Sequence, residues 1–208
     1  MNARTVRSTV AGPAGLLACA IDTPPHAPRG VAVLCHPHPQ HGGSMDNKVV
    51  QTLARALVQL GYTAVRFNFR GVAGSEGSWD AGLGEVHDAL AVVAAHQPPG
   101  LPLVLGGFSF GGYVAGQAAA QLPAGSRAQR LVLIAPAVVN FAMPAVPEDS
   151  LVVHGEVDDV VPLSAVFDWA RPLALPVTVL PGAGHFFHGQ LTVLKHIVSR
   201  AWAYSPPA

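Results

Sequence analysis

Ser109 stands at the centre of Gly107-Phe108-Ser109-Phe110-Gly111, directly after the apolar run "PLVL" and directly before a run of helical character. A Gly-x-Ser-x-Gly pentapeptide in that context is a strained strand-to-helix turn. Small residues on either side let backbones pass closely, and the serine hydroxyl projects above the sheet. A hydroxyl is a poor nucleophile at neutral pH and needs a histidine base oriented by a carboxylate. Two downstream loops offer both: "HGEVDDVVP" carries Asp158 and Asp159, and "PGAGHFFH" carries His185 and His188. The chemistry these residue types predict is acyl transfer through a covalent serine intermediate, with no cofactor.

A second cluster competes for attention. "CHPHPQHGG" places His36, His38 and His41 with the first, third and sixth spacing of the HxHxDH run by which some metallohydrolases hold zinc. The carboxylate of that run is replaced by Gln40, and Pro37 and Pro39 hamper adjustment of the imidazoles around a metal. A metal site would also leave the ordered serine, aspartate and histidine loops without a role, so no metal is expected. The prolines have no N–H, which leaves His38 as the one donor between them. They also restrict His36 and His38 to extended backbone. The backbone of this loop is thus expected to matter more than its imidazoles.

The elements that must position these groups follow from period and punctuation. "TVRSTV" and "LLACAI" read as a hairpin. "GVAVLC", "YTAVRFNFRG", "PLVLGGF", "RLVLIAPAV", "SLVVHGE" and "PVTVLPGAG" read as strands, most of them short apolar runs suited to a sheet covered on both faces. Between and after them lie helical patterns over 47–61, 83–97, 111–122, 163–173 and 189–204. The first has apolar residues at Val49, Val50, Leu53, Ala54, Leu57 and Leu60 and stops on Gly61. Strand and helix alternate from residue 30 onward, which predicts an α/β protein with a mostly parallel sheet. Ligands of such sheets sit beyond the carboxyl ends of the strands, where all the loops named above belong.

Half of the 208 residues are hydrophobic and 12% are charged, with Lys plus Arg equal to Asp plus Glu at 12 each. Neither sign forms a long run, so no footprint for nucleic acid or an anionic membrane is visible. No apolar stretch approaches the ~20 residues that span a bilayer. The expected partner is a small molecule. A chain of this length buries roughly 70% of its unfolded surface, and one domain over residues 1–208 is expected. Cys19 and Cys35 have apolar neighbours and read as buried free thiols, which suits a reducing, cytoplasmic location. Arg4 and Arg7 before "VAGPAGLLACA" have the outline of a signal peptide, but Gly12, Pro13 and Gly15 break its apolar region and read better as a turn.

Taken together, "HPHP...GG.MDNK", "FNFRG...SEG", "GFSFGG", "HGEVDDVVP" and "GAGHFF" resemble a small, lidless α/β-hydrolase over nearly the whole chain. The resemblance implies the α/β-hydrolase fold with an N-terminal antiparallel hairpin. It places the acid on Asp158, with Asp159 as competitor, and the base on His185, with His188 as competitor. It also implies an oxyanion hole made by the N–H groups of Phe110, which follows the nucleophile, and His38. His154 is expected to be structural and Glu156 a solvated loop residue. Arg70, Glu76 and Trp79 are candidates for pocket contacts without assigned roles, and Phe108, Phe110, Phe186 and Phe187 are divided between pocket wall and core.

Where larger hydrolases insert a lid, this chain has only "VNFAMPAVPEDS". The pocket is therefore expected to be open and to favour esters or thioesters of modest size over buried lipids. Two other readings compete with a serine esterase: a peptidase on the same triad, and a noncatalytic binding protein that keeps only the fold.

Overall fold

The computed structural model describes residues 5–202. Arg4 and the end of the expected last helix, Ala203 and Tyr204, lie outside them. Among the described residues there are eight strands: β1 (Val6–Gly12), β2 (Gly15–Asp22), β3 (Gly30–Cys35), β4 (Tyr62–Phe67), β5 (Leu103–Phe108), β6 (Arg130–Ile134), β7 (Leu151–Gly155) and β8 (Val177–Leu180). They form one sheet in the order β1-β2-β4-β3-β5-β6-β7-β8. The strands from β3 to β8 run parallel, while β1 and β2 form an antiparallel hairpin that joins the sheet along β4. Gly12 and Gly15 face each other at the hairpin turn, the turn expected from the broken apolar region.

Among the described residues there are also five α-helices, α1 (Lys48–Gln59), α2 (Leu83–His96), α3 (Phe110–Gln121), α4 (Leu163–Ala170) and α5 (Leu191–Ala201), and three short 3-10 turns. Successive strand residues point to opposite faces, and β3 shows the consequence. Val31, Val33 and Cys35 enter a core shared with α2, α3 and α4, while Ala32 and Leu34 enter a second core shared with α1 and α5. Every residue of β3 and β5 is buried, as central strands covered on both faces must be. α1 begins at Asn47, whose side-chain oxygen accepts the N–H groups of Val49 and Val50 and so satisfies two orphan donors of the first turn.

Element ends differ from the expected ones where the backbone turns left-handed or proline intervenes. β6 stops at Ile134 because Ala135 adopts φ 43° ahead of Pro136. α4 yields to a 3-10 turn at Arg171–Leu173, which contains Pro172. α5 starts at Leu191 rather than 189, after Phe187 and Gly189 at φ 52° and 74°. The connection over 135–150 contains turns and no helix, so nothing resembling a lid domain covers the strand ends. No helix of the described residues is long and apolar enough to cross a membrane. Cys19 and Cys35 are buried and unpaired.

Candidate active site

The turn between β5 and α3 carries Ser109 at φ 55° and ψ −119°, a conformation that costs a non-glycine residue about 1–3 kcal/mol. Its surroundings hold it there. The Ser109 N–H donates to the Ile134 carbonyl at 2.9 Å, and the Ser109 carbonyl accepts the Gly112 N–H at 2.9 Å. The flanking glycines are required by crowding rather than by φ. A Cβ on Gly107 would run into the Gly111 carbonyl, and one on Gly111 into the carbonyls of Cys35 and His36. The loop after β3 is thereby pressed against the first turn of α3.

Asp158 and His185 meet from the loops after β7 and β8. Nδ1 of His185 lies 2.7 Å from Oδ2 of Asp158. The other carboxylate oxygen accepts the N–H groups of Val160 at 2.9 Å and Val161 at 2.8 Å. Burial alone would raise the Asp158 pKa, but the hydrogen bond from His185 and those from the two backbone amides outweigh it, and the net shift is downward. An ionised Asp158 fixes the proton of His185 on Nδ1 and leaves Nε2 free to accept. The His185 ring is held between Phe108, at 4.9 Å between centroids, and Phe186, at 5.1 Å.

Ser109 and His185 face one cleft of about 470 Å³, without a direct hydrogen bond between them. Hydrogen bonds of this kind commonly tighten only once substrate is bound. Of the competing residues, Asp159 and His188 are both exposed and make none of these contacts. His154, fully buried, sits 2.8 Å from the Val161 carbonyl through Nε2 and 3.5 Å from Asp158 Oδ2, so it braces the acid loop from beneath. Glu156 is exposed but does more than meet solvent, because it accepts the Gly182 N–H at 2.8 Å and ties the loops after β7 and β8 together.

The three histidines of the β3 loop have separate roles. His36 is fully buried; Nε2 accepts the Phe69 N–H at 3.1 Å and Nδ1 lies 2.7 Å from the Pro37 carbonyl, so both ring nitrogens are committed. Burial pushes its pKa down to about 4, against an opposing pull from the Pro37 carbonyl. His36 thus bolts this loop to the loop after β4. His38 has the extended backbone expected before proline, φ −52° and ψ 122°. Among the described residues its N–H finds no acceptor, and neither does that of Phe110, the first residue of α3. His38 and His41 border the cleft with Ser109.

Arg70 and Glu76 turn out to be structural. The Arg70 guanidinium grips the buried Asp88 at 2.7 Å, and Glu76 accepts the Leu16 N–H at 2.7 Å at the hairpin turn. Trp79 packs on His38, with centroids 4.6 Å apart, and backs the pocket wall. Phe108 and Phe187 belong to the core, and Phe186 lines the cleft. Sequence reasoning missed Phe141, Asn140 and Val160, which also border the space around Ser109. Phe141 and Asn140 lie in the irregular 135–150 connection, where no period marks which side chains turn inward.

Comparisons with known proteins bear on the family and the fold. Residues 26–166 match the Hydrolase_4 family model, described as serine aminopeptidase, S33. An uncharacterized protein of Rickettsia prowazekii (strain Madrid E) is 35% identical, over 79% of this chain and 74% of its own. Among solved structures, a protein of Xanthomonas campestris described as an α/β serine hydrolase without lid gives a TM-score of 0.87 at 40% identity, covering 100% of this chain and 99% of that one. An α/β serine hydrolase homologue from Coxiella burnetii gives 0.82 at 39% identity, over 94% and 96%.

Proposed function

This chain belongs to the hydrolase family described as serine aminopeptidase, S33, with the α/β-hydrolase fold, and from that premise we propose that it cleaves a carboxylic ester or thioester of a small to medium acyl substrate. The observation that carries the reading is the 2.7 Å contact between His185 Nδ1 and Asp158, facing a cleft that also holds Ser109 in its left-handed turn. Ser109 Oγ attacks the acyl carbonyl as His185 Nε2 takes its proton. Asp158 holds the tautomer and offsets the positive charge on the imidazole. The N–H groups of Phe110 and His38, without an acceptor among the described residues, are the donors proposed for the oxyanion; one such donor is typically worth about 10² to 10³ in rate. His185 then returns the proton to the leaving group, and water repeats the sequence on the acyl-enzyme.

The family description names aminopeptidases, which must hold a substrate ammonium group. No Asp or Glu borders the cleft among the described residues. That favours an ester or thioester over an aminopeptide. Labelling with a fluorophosphonate probe, read by intact mass and peptide mapping, tests the reading. The expected result is one adduct on Ser109, insensitive to a metal chelator and absent in Ser109→Ala. No adduct on the folded wild-type protein would overturn it.

A further inference from the structure

The cleft divides at Ser109. The larger arm, about 470 Å³, runs past Gly43, Asn47, His185 and Phe186. The smaller, about 270 Å³, runs past Phe110, Ala137, Phe141 and Val161. Ser109, His38, His41 and Val160 border both, but His185 borders the larger arm alone.

That asymmetry assigns the two arms, on the reading that Ser109 is the nucleophile. When Ser109 Oγ bonds to the acyl carbon, the bond from that carbon to the departing oxygen or sulfur breaks. The serine proton passes through His185 to the departing alcohol or thiol. The leaving group must therefore lie where His185 reaches it, in the larger arm. The acyl group stays bonded to Ser109 and takes the other side. We propose that the smaller arm is the acyl-binding subsite and that it is built for an acyl group bearing a single aromatic ring.

The walls carry the second half of this inference. Ring centroids of Phe110 and Phe141 are 5.0 Å apart at 58°, those of His38 and Phe110 5.2 Å apart at 52°, and those of His38 and Phe141 6.1 Å apart at 43°. Trp79 backs Phe110 at 5.1 Å, and Tyr113 backs Phe141 at 4.9 Å. Phe110 is itself fully buried and holds this wall from behind, so the rings a guest meets are the half-buried His38 and Phe141. Tilted against each other, they offer a flat aromatic guest offset and edge-to-face contacts that an alkyl chain of equal area does not make. Size agrees with this choice. A cavity of about 150 Å³ holds a benzene ring, and 270 Å³ adds room for a short spacer.

The test compares 4-nitrophenyl phenylacetate with 4-nitrophenyl hexanoate, which share a leaving group and differ in the acyl part. The wild-type kcat/KM should favour phenylacetate by about tenfold, the scale of two ring–ring contacts. Phe141→Leu, which fills the wall without a ring, and Phe141→Ala should both cut that ratio to about threefold, because one of the two ring contacts is lost and the other kept. Phe186→Ala, in the other arm, should change the preference among alcohols with the phenylacetyl-to-hexanoyl ratio kept within about twofold. A wild-type ratio at or below one, an unchanged ratio in Phe141→Leu, or an acyl ratio governed by Phe186 would each overturn the assignment. Failure of the reading beneath it looks different: neither ester is turned over and the fluorophosphonate probe leaves Ser109 unlabelled.

Discussion

Asp158 does two things with one carboxylate, and on the proposed reading the chemistry depends on only one of them. One oxygen shapes the loop through Val160 and Val161, and the other meets His185. Asp158→Asn can preserve the first role but offers His185 an amide N–H donor. The imidazole would then carry its proton on Nε2 and lose its capacity to accept from Ser109. The expected result is a fall in kcat of about 10⁴, the scale of the equivalent change in a serine protease, with little change in Tm. Asp159→Asn, altering an exposed neighbour, should stay within twofold of wild type. Steady-state kinetics and thermal melts on both variants separate the two, and an equal loss in each would sink the assignment to Asp158. Ser109, Asp158 and His185 were legible in the sequence because each sits in a turn of restrictive composition. His36, Arg70 and Glu76 were not, because their partners come from segments 18 to 60 positions away that only the folded sheet brings near.

The turn that presents Ser109 is an element-level device, built from two elements meeting without side chains between them. Gly111 lies against the carbonyls of Cys35 and His36, backbone that cannot swing aside as a flexible side chain would. Gly111→Ala should therefore displace the loop after β3 from α3. The cost should be at least the ~1–3 kcal/mol of an overpacked core, a Tm drop of several degrees for a chain of this size. Labelling of Ser109 should fall with it, since the same displacement moves His38. Gly125→Ala, where an added Cβ meets nothing within 4 Å, should melt as wild type does. Differential scanning calorimetry with parallel labelling checks both; an unshifted Gly111→Ala would contradict the close approach. At this scale the strands and helices were readable from period and punctuation. The placement of the hairpin beside β4 was not, since nothing local in "TVRSTV" or "LLACAI" names a partner strand. The early end of β6 was hidden for a similar reason: an alanine at φ 43° carries no compositional mark.

At the scale of the whole molecule, both cores meet at one sheet whose carboxyl edge carries every loop of the site, so global stability and site geometry respond to acid together. His36 is fully buried, with a folded-state pKa near 4 against an ordinary value of 6.5. The unfolded chain therefore binds a proton as pH falls below about 6.5, while the folded chain binds it only near pH 4. Stability from the neutral imidazole is complete above that window and is lost through it, by about 3 kcal/mol in all. Total stabilities are commonly about 5–15 kcal/mol, so this share matters. His96 and His154 are shifted downward too, chiefly by burial, and act in the same direction. Asp158, also shifted downward, contributes stability that is present above its unfolded value near 3.8 and is lost at lower pH still. Acid unfolding should thus begin with the histidines, well above the carboxylate range. Urea titrations at pH 7.5, 6 and 5 should show wild-type stability falling steadily. His36→Gln, less stable at pH 7.5, should fall along a slope shallower by the uptake of one proton, because the substituted side chain has nothing to titrate. A slope equal to that of wild type would remove His36 from the acid response and leave it only a mechanical bolt between the two loops.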